Sequence, residues 1–188
     1  NTIVFDADML VLDDITPVWN NLHNLSFATN IKTYRNEPIT SRYYRKAFDA
    51  NNLPDVYTGM YQFSKGNEAY DFFKLLDVIM QNWNVFYKKY AANSIQNWNS
   101  VDLSAAIALK ILDSHNIALN NNSMLSFTHM KSQAQHFEYV PNNWTDALPV
   151  DFGNNNIYIN GYKQSGVLHY VEDAFLTTDM LKWLEAKV

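Results

Sequence analysis

The sequence predicts an α/β fold, because short apolar segments typical of strands alternate along the chain with longer amphipathic segments typical of helices. Three segments indicate this most clearly. They are an apolar strand at the very start, a long periodic segment over 67–90, and a short apolar strand that ends in His169. Neither an internal repeat nor a linker divides the sequence, so residues 1–188 are predicted to form a single domain.

Composition limits the classes of function. The chain is 47% apolar and 15% aromatic, which is enough to bury a real core. Its net charge of −5 offers no basic surface for a polyanion, so nucleic acid is excluded as the expected partner. The lack of cysteine excludes a disulfide framework and thiolate zinc sites. No apolar run is long enough to span a membrane, and we expect a cytoplasmic protein.

The first strand leads directly into two carboxylates, Asp6 and Asp8, one residue apart. Side chains alternate along a strand, so the two carboxylates fall on the same side if extended geometry continues or the chain turns there. Carboxylate pairs of this kind suit Mn²⁺ or Mg²⁺, which share their open positions with substrate phosphates. Asp is also common where a strand ends in a turn, and that structural reading stays open.

The next elements follow from capping residues and periodicity. A helix capped by Thr16, with Pro17 at its first position, is predicted to present an apolar stripe as far as Leu25. A short strand is predicted over 27–32 and a helix over 41–50.

The middle of the chain carries the clearest helix signals. A strand over 56–63 is interrupted by Gly59, which indicates a bulge or a place where a ligand approaches the backbone. One long helix is predicted over 67–90, and its aromatic stripe favours a core role over sugar stacking. Ser100 is predicted to cap a further helix that carries Asp102 in its first turn.

The last third of the chain is predicted to hold short strands and a final helix. The predicted elements are strands over 125–128 and 136–140, a hairpin of 157–162 and 167–170, and a helix over 179–186. Gly161 and Gly166 flank the turn of the predicted hairpin.

The order of these pieces resembles the glycogenin-like, retaining branch of the nucleotide-sugar glycosyltransferases with the GT-A fold. The segment Phe5-Asp6-Ala7-Asp8-Met9-Leu10-Val11-Leu12-Asp13-Asp14-Ile15 is similar, residue for residue, to the family's metal-binding segment. The resemblance implies that Asp6, Ala7 and Asp8 bind the donor diphosphate, with Asp6 and Asp8 as ligands of Mn²⁺ or Mg²⁺. It assigns the third ligand to His169, and His129 is the rival for that role.

Two further landmarks of the family have partial counterparts here. Thr58 and Gly59 stand where the family lines its sugar pocket, with Tyr-Thr in place of Asn-Ser. Asp102 alone represents an Asp-Gln-Asp motif at the start of a helix, and the resemblance implies that it orients sugar or acceptor hydroxyls as the catalytic residue.

The sequence departs from the family after the histidine. The family continues with Gly and then Lys-Pro-Trp, and its lysine reaches the diphosphate, whereas this chain carries Glu172 and Asp173. The resemblance therefore implies that the charge of the diphosphate is neutralised by the metal, by another cation such as Lys131 or Lys163, or by residues outside the sequence.

The resemblance also bears on the abrupt start of the sequence. In GT-A folds the strands that bind the nucleotide base precede the Asp-x-Asp motif. The implied fold is therefore GT-A-like without its N-terminal nucleotide-binding strands, and the resemblance leaves open whether the chain is active by itself. A bacteriophage type of this enzyme is a further expectation.

The expected function is metal-dependent transfer of a sugar from a nucleotide-diphosphate sugar to an unidentified carbohydrate or protein acceptor, with retention of configuration. One alternative is a phosphatase of the haloacid dehalogenase type, with Asp6 as nucleophile and Asp8 as acid/base. Leu10 and the residues after Asp8 depart from that pattern. The other is a non-catalytic carbohydrate-binding fragment that uses Trp98 and Trp144.

Overall fold

The computed structural model describes residues 1–20, 25–28, 31–38, 46–94, 97–113, 126–130, 144–153 and 155–186. The fold is mixed α/β with several sheets, which confirms the predicted class. The described residues group into two compact units. The first unit contains 1–5, 16–20, 25–28, 46–94 and 97–113, and the second contains 6–15, 31–38, 126–130, 144–153 and 155–186. The single domain over 1–188 stays a prediction.

Most of the described elements are short, and the two longest are helices of the first unit. The strands are β1 (Thr2–Phe5), β2 (Met9–Val11), β3 (Leu25–Ala28), β4 (Ile31–Lys32), β5 (Tyr57–Phe63), β6 (Phe127–His129), β7 (Val150–Gly153), β8 (Asn156–Ile159), β9 (Tyr162–Lys163) and β10 (Val167–His169). The α-helices are α1 (Thr16–Asn20), α2 (Lys46–Ala50), α3 (Asn67–Gln81), α4 (Trp83–Tyr90), α5 (Val101–Ile111) and α6 (Thr178–Glu185). Two 3₁₀ turns cover Trp144–Asp146 and Asp173–Phe175. None of these helices has both the length and the apolar composition needed to cross a membrane.

A three-stranded sheet of order β1-β5-β3 forms one part of the first unit, and β5 runs antiparallel to both neighbours. Phe27 pairs with Tyr61, but the next residue, Ala28, pairs with Tyr57. The register therefore shifts across the interval of β5 that contains Gly59, where the sequence predicted an irregularity.

Helix α5 forms the centre of the core of the first unit, since every side chain over 103–109 is buried. The predicted cap is confirmed, because Oγ of Ser100 accepts a hydrogen bond from the backbone N–H of Leu103 at 3.4 Å. Phe27 and Phe72 pack edge to face within the same core, with ring centroids 5.5 Å apart.

The long helix predicted over 67–90 is wrong, because the chain breaks at Asn82 into α3 and α4. Asn82 adopts φ −124° and ψ 29°, and its Nδ2 donates to the carbonyl of Val78 at 2.9 Å. The backbone N–H of Asn82 donates to the carbonyls of both Val78 and Ile79. A short amide side chain competes in this way with the helical hydrogen bonds, which apolar periodicity alone does not reveal.

The second unit contains a four-stranded sheet of order β2-β10-β6-β4. Strand β10 runs antiparallel to β2 and parallel to β6, and β6 runs parallel to β4. A separate meander, β7-β8-β9, lies in the same unit.

The predicted hairpin between 157–162 and 167–170 is therefore wrong. The turn residues Asn160 (φ 49°) and Gly161 (φ 80°) instead join β8 to β9, as expected for a two-residue hairpin turn. After β9 the side chain of the buried Gln164 donates to the carbonyls of Tyr34 and Tyr162, both at 2.8 Å. Gly166 follows with φ 72°.

Other predicted elements fall in part on described residues. Leu25 lies in β3 rather than on a helix, and the strand predicted over 27–32 corresponds to two strands, β3 and β4, in different units. The final helix is confirmed to within one residue at each end. Residues 41–45 of a predicted helix and the strand predicted over 136–140 lie outside the described residues.

Candidate metal centre

A tight turn between β1 and β2 positions both carboxylates. The N–H of Met9 donates to the carbonyl of Asp6 at 3.2 Å, which closes the turn around Ala7. The carbonyl of Asp8 accepts the N–H of Tyr170 at 3.1 Å, so the turn is tied to the end of β10. Asp6 and Ala7 are exposed, and Asp8 is partly buried.

His169 is the last residue of β10, a strand with a neighbour on each side. Its Cα partner is Met9 on β2 and His129 on β6. His169 is only 6% exposed at this place in the sheet, and its ring reaches the turn of Asp6 and Asp8.

Ligand atoms of Asp6, Asp8 and His169 all lie within 4.8 Å of one another. Oδ2 of Asp8 is 2.9 Å from Nε2 of His169. That spacing is close to the roughly 3 Å between neighbouring ligands of an octahedral ion with bonds of about 2.1 Å. Two carboxylates and one imidazole form a donor set that suits divalent cations. The residues therefore fit a metal ion, as the sequence predicted for these three positions.

His129, the rival ligand, lies beside His169 but outside this group. The two rings meet edge to face, with centroids 4.7 Å apart. The group whose ligand atoms converge consists of Asp6, Asp8 and His169. His129 therefore packs against the side of a ligand, and its strand ends in the same way, Phe-Thr-His beside Val-Leu-His.

The backbone after His169 is strained and held in place, which the sequence did not indicate. Val171 adopts φ 69°, a left-handed conformation that is rare for a β-branched residue. The N–H of Glu172 donates to the carbonyl of Tyr170 at 2.8 Å, which closes a three-residue turn around Val171. Nε1 of the buried Trp144 donates to the same carbonyl at 2.7 Å. Two hydrogen bonds therefore hold the carbonyl group of Tyr170 in place.

The family that the sequence resembles has a lysine in this segment, whereas this chain has Glu172. The hydrogen bonds of Glu172 show what the residue does here. Its carboxylate accepts the backbone N–H of Trp144, at 2.8 Å and 3.1 Å for the two oxygens. The acidic side chain therefore locks Trp144 against the turn that follows His169. A charge-assisted bond of this kind is among the stronger hydrogen bonds in proteins.

Tyr170 adds a neutral phenol beside the carboxylates. Burial raises the pKa of Tyr170, and the carboxylates of Asp8 and Asp173 raise it further. Its ring stacks on Phe175, with centroids 5.0 Å apart.

Among the remaining predicted site residues, Thr58, Gly59 and Asp102 belong to the first unit, and Lys163 is the last residue of β9 in the second. In the first unit, Oδ1 of Asp102 accepts the backbone N–H of Thr58 at 2.8 Å and its hydroxyl at 2.5 Å. Asp102 therefore ties the start of α5 to β5 near the buried Gly59. Lys131 lies outside the described residues.

The two tryptophans assigned to sugar binding in the carbohydrate-binding alternative differ in their exposure to solvent. Trp98 is 61% exposed, whereas Trp144 is buried and packs on Phe175. Trp144 therefore supports the centre from within the core, and only Trp98 has a face available to a ligand.

Comparisons with protein-family models, with curated proteins and with solved structures found no match to this chain. A function for this protein must therefore be inferred from the geometry of the metal centre. Two carboxylates on an exposed turn, backed by a buried imidazole, can hold a divalent cation that faces solvent on the carboxylate side.

Proposed function

We propose that the protein is a metal-dependent glycosyltransferase that acts on a nucleotide-diphosphate sugar. The observation that supports this proposal is the convergence of Asp6, Asp8 and His169. The resemblance of the first motif to the glycogenin-like family supplies the substrate class, and we propose a GT-A-like fold and retention of configuration on the same ground.

Each residue of the centre has a defined task in this proposal. A bound Mn²⁺ or Mg²⁺ would act as a Lewis acid towards the charge that develops on the diphosphate leaving group. Asp6, on the exposed side of the turn, and Asp8 hold the ion towards solvent, where a donor can approach. His169 holds it from the sheet, and its buried ring restricts how far the ligand set can relax.

The histidine distinguishes this proposal from the phosphatase alternative. A haloacid dehalogenase mechanism uses Asp6 and Asp8 and assigns no task to an imidazole. Here Nε2 of His169 is 2.9 Å from Oδ2 of Asp8, so the imidazole belongs to the same group as both carboxylates. The sugar-pocket roles of Thr58 and Gly59 and the catalytic role of Asp102 stay predictions.

Release of free nucleoside diphosphate from a panel of nucleotide-diphosphate sugars, with and without Mn²⁺, tests the proposal. We expect Mn²⁺-dependent release that falls by more than about 100-fold in Asp8→Asn and in His169→Gln. Asp151→Asn is the matched control, because Asp151 is an exposed carboxylate on β7 of the same unit.

Two results would overturn the proposal. One is phosphate release from sugar phosphates that survives His169→Gln but not Asp6→Asn, which would indicate the phosphatase. The other is Mn²⁺ binding by the triad that no nucleotide-diphosphate sugar strengthens, since the metal would then serve another purpose.

A further inference from the structure

A second concave site lies in the same unit as the metal centre. It is a pocket of about 180 Å³ at the far end of β2, where Val11 is followed by Leu12 and Asp13. Asp8 precedes β2 and Asp13 follows it, so the strand separates the pocket from the metal centre. None of the three metal-centre residues lines the pocket.

The lining combines apolar and polar residues. Its apolar residues include Trp183 and the buried Ile157. Its polar residues include Asn155, Asn156, Asp13 and Lys163, which are here called the rim. One face thus suits C–H groups, and the rim offers both donors and acceptors.

Several of these groups are held in place by the fold. Oδ2 of Asp13 accepts the N–H of Gly166 at 2.7 Å, which fixes the carboxylate at the rim. Trp183 packs on Phe152, with ring centroids 5.9 Å apart. Asn155 stands at a left-handed position, φ 63°, between β7 and β8. A pocket with fixed walls loses little entropy when a ligand binds.

The volume of the pocket and the charges of its lining residues limit the kinds of ligand that it can bind. Pockets for drug-sized ligands span about 300–1,000 Å³, whereas a cavity of about 150 Å³ holds a single benzene ring. The pocket therefore accepts one six-membered ring. An anion would meet Asp13 and a cation would meet Lys163, so the mixed rim favours a neutral ligand. A pyranose has the required shape, with an apolar face and hydroxyl groups around its edge.

We propose that this pocket binds one neutral pyranose ring, stacked on Trp183 with its hydroxyl groups on the amides of Asn155 and Asn156. The site is separate from the metal centre, because none of Asp6, Asp8 and His169 lines it.

Saturation-transfer NMR with the methyl glycosides of glucose, galactose and mannose tests this inference in the presence of EDTA. We expect at least one glycoside to bind in the millimolar range. Asn155→Gly is the sharpest variant, since glycine tolerates the left-handed backbone and only the amide is lost. We expect it to weaken binding by about fivefold or more, and Trp183→Ala by about tenfold or more.

Matched controls separate this proposal from the others. Trp98→Ala removes an exposed indole of the first unit, and Asp8→Asn removes a metal ligand. Both should leave glycoside binding unchanged. Trp183→Phe, which keeps an aromatic face, should retain most of the affinity and replaces Trp183→Ala if that variant does not fold.

Three results would overturn the inference. They are no signal from any neutral glycoside, binding that is unchanged in both Asn155→Gly and the Trp183 variant, and binding of glycine or serine in place of the glycosides. The last result would mean that Asp13 and Lys163 select a zwitterion.

Discussion

The two units of the chain bury different kinds of side chain. The described buried polar residues of the first unit are Ser26, Gln62 and Ser104, and none of these three is ionisable at neutral pH. The corresponding residues of the second unit are Lys32, Thr33, Thr128, His129, Gln164 and His169. Three of these six can carry a charge.

This difference indicates where the chemistry lies. Burial of an ionisable group opposes folding unless a partner compensates for the lost hydration. In the second unit, Nζ of Lys32 donates to Oδ1 of Asn36 at 3.0 Å and to Oγ of Ser165 at 2.8 Å. His169 contacts Asp8. The first unit thus resembles an ordinary apolar core, whereas the second buries ionisable groups, one of which, His169, belongs to the candidate metal centre.

The largest expected effect comes from Gly166→Ala, in the loop that leads into β10. A Cβ at this position would overlap the backbone oxygen of Ser126, and φ is 72°. We expect the free energy of unfolding to fall by more than about 3 kcal/mol, because the backbone at Gly166 or Ser126 would have to move to make room for the methyl group. Urea denaturation measures this loss.

Gly161→Ala is the control for that variant. Gly161 also has positive φ, 80°, but a Cβ there meets nothing within 4 Å. Only the conformational penalty of about 1–2 kcal/mol is expected. Equal losses in the two variants would contradict the view that β10 is held by close packing at Gly166.

A smaller effect of opposite sign is expected at Gln62, near the end of β5. Its side chain is fully buried, and neither Oε1 nor Nε2 has a hydrogen-bond partner among the described residues. Gln62→Met keeps the shape and removes both polar atoms, so we expect a gain of about 1–3 kcal/mol in unfolding free energy. A loss of stability would show that the amide is satisfied and that the first unit is less apolar than described.

The smallest effect concerns the pH dependence contributed by Lys32. Burial lowers its pKa from the ordinary value of 10.5, and this outweighs the opposing influence of Asp13. The folded chain therefore releases this proton at lower pH than the unfolded chain, and the stability contributed by the group rises as the pH approaches 10.5.

Urea denaturation of wild type and Lys32→Met at about pH 7 and about pH 10 measures that contribution. The difference between the two proteins should shift in favour of wild type at the higher pH. A shift in the opposite direction would mean that the charged form of Lys32 is the stabilised one.

Local signals in the sequence predicted part of the structure correctly. Ser100 caps α5, and the shift of register falls at Gly59. The convergence of Asp6, Asp8 and His169 was predicted from a motif and one strand ending. Capping and alternation depend on neighbouring residues, so they can be read without knowledge of the fold.

The features that were missed depend on contacts between distant segments. Strand β10 pairs with β2 and β6 rather than with β8, because three-residue strands carry too little pattern to specify a neighbour. The strained turn at Val171 and its bond to Trp144 join residues 26 positions apart. The break at Asn82 follows from one side-chain hydrogen bond that periodicity does not encode.

The central claim is that His169, together with Asp6 and Asp8, forms one divalent-cation site. Mn²⁺ titration followed by electron paramagnetic resonance, on wild type, His169→Gln and His129→Gln, tests it most directly. The two histidines are register partners on adjacent strands, with rings 4.7 Å apart, so they form a matched pair. The account predicts a loss of affinity above about 100-fold for His169→Gln and less than about tenfold for His129→Gln. Equal losses, or a greater loss for His129→Gln, would contradict it.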